Sequence, residues 1–351
     1  MLHNSPLLLS IIYYILLIPI DAIAYIQWIN ALINYKWLAS SIIFPLISIL
    51  SFGSVTLWHK IHGKLNQNNK DICQKKLFII GLLDSLSTII SSMTLPYISI
   101  IVSITLCKIA MPITMIFSYY LLDKRYHVNH YIAVFIILIG VMLTIVPYLQ
   151  NNSVNNPFAL CVYIFSIIPT VLSDIYKERI LKKNLEINLY WMNTYISIWQ
   201  LIIGITTTPI TFLYLTYAYD NPINFINYIN NGILCQMAIS SNYNCNKSLF
   251  WLVIYQFIST TTSTLSFIII KYGSATILII LTNIKIPLTC FISYILINYN
   301  FIYTTTLQRM EMSIHNYISI ILLVIGAFIY NYKPEYTRKK NISEEYLLGP
   351  I

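Results

Sequence analysis

Ten stretches of about 20 consecutive apolar residues run through the 351-residue chain, separated by short polar segments. A helix of about 20 apolar residues spans the hydrocarbon core of a bilayer. Backbone groups that face lipid must be satisfied within their own segment, so these stretches must be helices. The sequence therefore predicts an all-α polytopic membrane protein with ten transmembrane helices. The predicted spans are residues 7–26, 37–58, 77–96, 98–121, 130–149, 158–176, 189–216, 249–270, 274–297 and 314–332.

The composition indicates that the bilayer is the main partner of this chain. Hydrophobic residues make up 57% of it and charged residues 9%, whereas a soluble domain has about 25% charged residues. The formal charge of +9 comes from basic residues scattered over short loops. They form no stripe that alternates with stacking aromatic residues, so nucleic acid is not predicted as a partner.

The basic residues also orient the ten spans. If both termini face the cytosol, 16 of the 21 Lys and Arg residues lie in cytosolic loops or tails and three lie on the other side. This bias is a strong positive-inside signal. An alternative is that residues 7–24 form a cleaved signal peptide, but the segment before them has no Lys or Arg. The sixteen are Lys60, Lys64, Lys70, Lys75, Lys76, Lys124, Arg125, Lys177, Arg179, Lys182, Lys183, Lys271, Lys333, Arg338, Lys339 and Lys340.

Part of the chain occurs twice. Residues 112–122 read P-I-T-M-I-F-S-Y-Y-L-L and residues 287–297 read P-L-T-C-F-I-S-Y-I-L-I. A second pair follows, N-H-Y-I-A-V-F-I-I-L-I-G-V at 129–141 and H-N-Y-I-S-I-I-L-L-V-I-G-A at 315–327. Pro, Thr, Ser, Tyr and Gly recur in the same order, which favours an internal repeat over chance similarity between apolar helices.

The matching segments lie in predicted spans 4–5 and 9–10, so each repeat contains five spans. Because five is odd, the second repeat enters the membrane in the opposite orientation. Such inverted repeats are typical of secondary transporters, whose substrate binds near the midplane between the halves. We predict a first five-helix repeat over residues 1–150, a non-cytosolic linker over 151–157, a second repeat over 158–332 that includes the loop 217–248, and a cytosolic tail over 333–351.

Asp21, Asp84, Lys108 and Lys285 are ionisable residues that lie inside predicted spans. An ionisable group at membrane depth costs several kcal/mol unless it is paired or hydrated, so each is a candidate for the substrate cavity. Two other interpretations are open. The lysines can snorkel to an interface, and the aspartates can pair with the lysines in a purely structural role.

Each of these lysines precedes a repeated proline. Lys108 comes four residues before Pro112, and Lys285 comes two residues before Pro287. We expect both prolines to kink their helices.

Three more polar residues complete the predicted cavity: Asp174, Gln200 and Thr261. Asp174 is the first residue of a charged group that closes span 6 and extends to Arg179. The alternative is that this group is simply a solvated cytosolic helix end. Gln200 can bond a ligand or a neighbouring helix. Thr261 belongs to a run of hydroxyl residues that can line a cavity or bond back to their own helix.

The longest predicted non-cytosolic loop, 217–248, contains Cys235 and Cys245. That compartment permits disulfides, and we predict a bridge between the two, with two free thiols as the alternative. The preceding segment P-I-N-F-I-N-Y-I-N-N-G-I-L has the apolar spacing of an interfacial amphipathic helix, with an ordinary loop as the alternative. Asn151 and Asn246 begin glycosylation sequons on the same side of the membrane.

The sequence shows no enzyme chemistry, since a Walker loop, HExxH and G-x-S-x-G are all absent. We therefore predict no catalytic residue, no metal site and no cofactor. A polytopic receptor would have seven spans, with termini on opposite sides, and needs no repeat. A membrane enzyme would need histidines or carboxylates clustered at one depth. We expect a monomer.

Several segments resemble the chloroquine resistance transporter family of apicomplexan parasites. They are F-S-Y-Y-L-L-D-K-R-Y-H-V-N-H-Y-I-A-V-F-I-I-L-I-G-V at 117–141, G-L-L-D-S at 81–85, I-P-T-V-L-S-D-I-Y-K-E-R-I-L-K-K at 168–183, and the paired cysteines before span 8. The likeness extends from about residue 8 to residue 332. The family belongs to the drug/metabolite transporter superfamily, whose ten spans form two inverted five-helix repeats.

The resemblance implies export of amino acids, short peptides or cationic drugs from a lysosome-like vacuole towards the cytosol, with protons. It also implies that spans 1, 3, 4, 6, 8 and 9 surround the cavity. Asp84 falls in the third-span motif of the family, and Lys108 and Lys285 fall in its proline-containing fourth and ninth spans.

The chain departs from the family at several of these positions. Well-known members have glutamine where this chain has Lys108 and Lys285, an acidic residue in span 8 where it has hydroxyls near Thr261, and four loop cysteines where it has two. The positive charge that these two lysines add to the cavity would disfavour the binding of cationic drugs. An organic-anion carrier for nucleotide sugars or sugar phosphates, with both lysines on phosphate, is therefore the alternative to a carrier of amino acids, short peptides or drugs.

Overall fold

The computed structural model of the chain is helical over nearly all the residues that it describes. Most of the described helices are long and apolar, and α-helical structure continues through an internal proline at Pro19 and at Pro169. The described residues are 5–32, 35–63, 74–94, 106–150, 157–183, 186–208, 225–239, 243–282, 292, 314–331 and 336–337.

The described helices follow the predicted spans closely. Residues 275–282 are also helical, so a helical segment overlaps each of the ten predicted spans. The helices are α1 (Ser5–Ala31), α2 (Phe44–Ile61), α3 (Gln74–Thr94), α4 (Ala110–Leu121), α5 (Val128–Gln150), α6 (Pro157–Lys183), α7 (Leu189–Thr206), α8 (Phe225–Gln236), α9 (Ser248–Tyr272) and α10 (Ile314–Asn331).

Five helical segments of the described chain are long and apolar enough to cross a membrane. The chain is therefore an all-α polytopic membrane protein, as predicted. The count of ten crossings and the inverted repeat stay predictions. The five segments are Leu7–Ala31, Ala39–Ile61, Gln74–Thr94, Phe158–Lys183 and Cys245–Tyr272.

The chain divides into two compact units, and each combines parts of both predicted repeats. The first unit contains Met1–Pro19, Thr94–Lys183 and Ile268–Ile351. The second contains Ile20–Met93 and Asn184–Phe267. The repeat boundaries predicted from the sequence stay predictions.

In the first unit, α5 and α10 pack closely because glycine occupies the contact. A Cβ on Gly326 would meet the side chain of Ile137 and the carbonyl oxygen of Ala133. Small residues let membrane helices approach in this way, since lipid offers no hydrophobic driving force between them. Ala133 and Ile137 belong to a buried cluster with Tyr330 of α10 and Met111 of α4.

A two-stranded pair also lies in the first unit. Strand β1 (Lys124–Arg125) follows α4, and strand β2 (Tyr336–Thr337) follows α10. The strands are antiparallel, with Lys124 opposite Thr337 and Arg125 opposite Tyr336. Backbone pairing requires both segments on one side of the membrane, which agrees with the predicted even number of crossings between them.

In the second unit, the segment before α2 departs from regular helix. Residues Ala39–Ile43 form a π-helical turn in which the Phe44 N–H donates to the Ala39 carbonyl. Pro45 has no N–H for the Ser41 carbonyl four residues earlier. A single π turn inside a helix is frequent at functional sites.

The Ser41 carbonyl instead faces α7 at a glycine. A Cβ on Gly204 would meet the Ser41 carbonyl oxygen. Helices α2 and α7 are also joined at a second point, where the hydroxyls of Thr56 and Thr194 share a hydrogen bond of 3.1 Å. Asn188 caps the start of α7, because its side-chain oxygen accepts the backbone N–H groups of residues 190 and 191.

We expect Gly204→Ala to destabilise the protein. The added methyl group would separate α7 from the turn that contains Ser41, and overpacking of this kind costs about 1–3 kcal/mol. Thermal unfolding in detergent should show a lower midpoint temperature. Gly53→Ala is the matched control, because its Cβ would make an ordinary 3.8 Å contact with Thr194 and alanine favours the helix by about 1 kcal/mol. Equal midpoints for both variants would contradict the close approach.

Candidate functional site

A cavity of about 240 Å³ lies within the second unit. It is lined by the end of α1, the π turn and start of α2, the middle of α3, the end of α7 and the first turns of α9. A volume of this size suits a small solute. The lining residues are Tyr25, Trp28, Ser40, Ser41, Phe44, Pro45, Ser85, Thr88, Ile89, Gln200, Gly204 and Tyr255.

One wall of the cavity is aromatic and centres on Tyr255. The ring of Trp28 stacks on it with centroids 5.4 Å apart and an interplanar angle of 20°. Tyr25 lies 5.3 Å from the same ring and Phe44 lies 5.6 Å from it. Rigid rings of this kind present a large flat surface to a bound molecule.

The other wall carries uncharged polar groups. Ser41 and Ser85 are 5% and 6% exposed, and neither hydroxyl has a protein hydrogen-bond partner in the described part of the chain. The Thr88 hydroxyl donates to the Asp84 carbonyl of its own helix. Buried polar groups are normally paired, so both hydroxyls have hydrogen-bonding capacity that the described residues do not use.

The structure brings two predicted site residues together at this wall. The Gln200 side-chain amide donates to the Asp84 carboxylate over 3.3 Å, across 116 positions of sequence. Asp21 lies one helical turn before Tyr25 and interacts electrostatically with Tyr25 and Tyr255. Gln200 thus lines the cavity, and Asp84 and Asp21 lie beside lining residues, while a role of the three in binding substrate stays a prediction.

The predicted disulfide between Cys235 and Cys245 is confirmed, with Cα atoms 4.9 Å apart. Residues 225–234 of the predicted amphipathic segment lie in helix α8, whose Tyr228 ring lies 5.2 Å from the ring of Tyr35. Cys235 and Cys245 are buried in the same cluster as Trp28. The disulfide therefore fixes the end of α8 beside the aromatic wall.

Other predicted site residues have different surroundings. Lys108 belongs to the first unit, is 4% exposed and donates its ammonium to the Thr282 carbonyl over 3.0 Å. Asp174, also in the first unit, pairs with Lys177 over 3.3 Å. The Thr261 hydroxyl donates to the Ile258 carbonyl of its own helix, which favours back-bonding over cavity lining for that run.

For several predicted residues, the structure shows only their position in a helix or loop, or does not describe them. Pro112 lies in α4, directly after a 3₁₀ turn at Cys107–Ile109, and the kink expected there stays a prediction. Asn246 is exposed, and its glycosylation stays a prediction. Lys285, Pro287 and Asn151 lie outside the described residues, as do residues 151–156 of the linker and all of the tail except the two residues of β2.

The charged end of α6 is not fully solvated, contrary to the alternative that the sequence allowed for it. Glu178 is 0% exposed, and one of its carboxylate oxygens lies 2.8 Å from the ammonium groups of both Lys124 and Lys182. Its other oxygen accepts the backbone N–H of Ala275 over 3.0 Å. Ser274 caps the same helical start, since its hydroxyl accepts the N–H of Ile277.

This cluster joins three separate segments of the first unit. The carboxylate of Glu178 satisfies a helix N-terminus, which carries partial positive charge, together with two lysines. The sequence pattern did not predict this cluster, because a charged helix end at the membrane surface is usually solvated. It also missed Trp28, Tyr255 and Ser41, although Trp28 one turn after Tyr25, and Ser41 four residues before Pro45, were visible signals.

Comparison with known proteins identifies the class of this membrane protein. A family model described as CRT-like, chloroquine-resistance transporter-like, matches residues 7–330. Crt homolog 1 of Dictyostelium discoideum is 23% identical over 314 residues, which cover 81% of this chain and 66% of that protein. The chloroquine resistance transporter of Plasmodium vivax (strain Salvador I) is 23% identical over 362 residues, covering 97% and 82%.

A third relative is the chloroquine resistance transporter of Plasmodium falciparum (isolate 7G8), 25% identical over 230 residues, which cover 65% of this chain and 54% of that protein. The chain thus spans just under two thirds of Crt homolog 1 and about half of this relative. Fold and composition define a polytopic membrane protein. The chain belongs to the chloroquine-resistance transporter-like family.

We expect Glu178→Gln to destabilise the first unit strongly. The neutral amide would leave the ammonium of Lys124 buried without its counter-charge, and such a loss costs about 3–5 kcal/mol. Thermal unfolding in detergent would measure this as a lower midpoint. Asp174→Asn is the control, since it removes one pair on the same helix with partners 17% and 12% exposed, and about 1 kcal/mol or less is expected. A smaller effect for Glu178→Gln than for the control would contradict the cluster's role.

Proposed function

We propose that this protein is a secondary active carrier of small solutes in a vacuolar or lysosome-like membrane. It moves amino acids, short peptides or drugs towards the cytosol by alternating access, coupled to protons. The termini face the cytosol and the chain acts as a monomer. Family membership supports the transporter class, and the cavity of the second unit supports the choice of small solutes.

The observation that carries the proposal is a cavity lined by aromatic rings and by two buried serines whose hydroxyls have no hydrogen-bond partner among the described residues. A dedicated packing interface would replace Ser41 and Ser85 with alanine, because a buried hydroxyl without a partner costs about 1–3 kcal/mol. A cavity that binds and releases a polar solute needs such groups free when the solute has left. We assign Asp21, Asp84 and Gln200 to the border of the same site.

The contacts favour an uncharged or zwitterionic solute over a phosphate-bearing anion. Phosphate recognition requires cationic donors such as arginine or lysine. None of the lining residues is cationic, and the Lys108 ammonium already donates to a backbone carbonyl. The organic-anion carrier that the sequence allows as an alternative therefore gains no support from the described residues.

Uptake into proteoliposomes tests the proposal. Purified protein would be reconstituted and given labelled neutral amino acids, a labelled dipeptide and a labelled nucleotide sugar, with and without a pH gradient. We expect gradient-dependent uptake of an amino acid or the dipeptide, abolished by a protonophore. Uptake of the nucleotide sugar alone would contradict it.

Ser41→Ala and Ser85→Ala should lower that uptake about 3- to 10-fold, the equivalent of one lost hydrogen bond. Their thermal midpoints should stay level or rise, because each change removes an unpaired buried hydroxyl. Ser54→Ala is the matched control, since Ser54 is exposed on α2 and its hydroxyl donates to the Ser51 carbonyl. Uptake that falls equally in all three variants would remove the special role of the cavity hydroxyls.

A further inference from the structure

A side-chain hydrogen bond joins the aromatic wall of the cavity to the loop helix α8. The indole N–H of Trp28 donates to the side-chain oxygen of Gln236 over 2.9 Å, across 208 positions of sequence. Trp28 is 0% exposed and Gln236 is 6% exposed. A buried indole N–H needs an acceptor, and this one comes from a different element than the ring itself.

The acceptor is held in place by the loop. Gln236 is the last residue of α8 and follows directly on Cys235, which is bonded to Cys245. The Ser248 hydroxyl lies 2.6 Å from the Cys235 carbonyl and 3.0 Å from the Gln236 carbonyl. The backbone that positions the Gln236 amide is therefore fixed by a covalent bond and by the start of α9.

The chemistry of the pair fixes the orientation of the amide. An indole nitrogen only donates, so the amide oxygen must face Trp28 and the NH₂ group must point elsewhere. That NH₂ group is buried and has no hydrogen-bond partner within the described segments. A methionine would fill the same space without a buried donor, so the glutamine is explained by the acceptor that it offers to Trp28.

We propose that Gln236 is a positioning residue of the carrier: it sets the ring of Trp28 against Tyr255 and thereby makes the disulfide-bonded loop part of the substrate site. This inference rests on the proposed function, because it assigns the cavity to substrate. Gln236 acts only through Trp28, since it is not among the residues that line the cavity.

Two measurements on the full-length protein test the positioning. The six tryptophans would be labelled as 5-fluorotryptophan, and the ¹⁹F resonance of Trp28 assigned by its loss in Trp28→Phe. Gln236→Met should shift or broaden that resonance and leave most of the others in place. Asn231→Met, an exposed position on the same helix, should move none of them. An unchanged Trp28 resonance in Gln236→Met would overturn the proposal.

Transport kinetics in proteoliposomes test the link to substrate. Gln236→Met should raise KM about fivefold, the equivalent of one neutral hydrogen bond, with Vmax unchanged. In a Trp28→Phe background the same change should have no further effect, because an effect carried by one contact is not additive. Additive effects, or an unchanged KM, would overturn the link to substrate. If the wild type carries no solute, the proposed function fails, whereas the ¹⁹F spectrum still decides whether Gln236 sets the ring.

Discussion

Pro45 has no backbone N–H, and the packing of α2 against α7 in the second unit depends on this missing hydrogen-bond donor. The Ser41 carbonyl loses its regular helical partner, the chain forms a π turn at Ala39–Ile43, and the carbonyl oxygen faces α7 instead. Only glycine leaves room for it, which is why residue 204 has no side chain. The same turn presents Ser40, Ser41 and Phe44 to the cavity. One irregular turn thus supplies both the helix packing and part of the site.

The two units differ in which charged groups they contain and in how those groups are neutralised. In the first unit, Glu178 neutralises two lysines and a helix N-terminus, and Lys108 donates to a backbone carbonyl. In the second unit, the cavity has an aromatic wall and uncharged polar groups, with Asp84 held by Gln200 at its edge. Because none of the described residues that line the cavity is cationic and a carboxylate lies at its edge, the site disfavours an anionic solute.

Much of the fold could be predicted from the sequence, because the length and position of the apolar stretches predict where a membrane protein has its helices. The disulfide also followed, since only Cys235 and Cys245 share a predicted non-cytosolic loop. Side-chain partners were harder to predict. Asp84 and Gln200 were each recognised as polar residues inside spans, but their pairing depends on how α3 and α7 are rotated, which apolar composition does not encode.

Some contacts depend on packing that the sequence pattern does not encode. Glu178 lies in a run of charges at a helix end, a pattern that is usually solvated, and only the three-dimensional meeting of α6, β1 and residue 275 buries it. The mid-span position of Lys108 predicts a place in the substrate cavity, and this stays a prediction. The sequence did not show that its ammonium donates to the Thr282 carbonyl, which helps to satisfy a buried cation. Trp28 and Tyr255 looked like ordinary apolar positions, and their stacking depends on two helices far apart in sequence.

Protection of an engineered thiol tests most directly whether the cavity of the second unit binds substrate. Ser85→Cys would be made with every cysteine except Cys235 and Cys245 replaced by serine, and labelled with a thiol-specific reagent in proteoliposomes. The solute that the carrier transports best should slow labelling several-fold at position 85. It should leave labelling unchanged in an Asn227→Cys variant, exposed on α8. If transport persists and the solute gives no protection at position 85, the substrate binds elsewhere and the account is wrong.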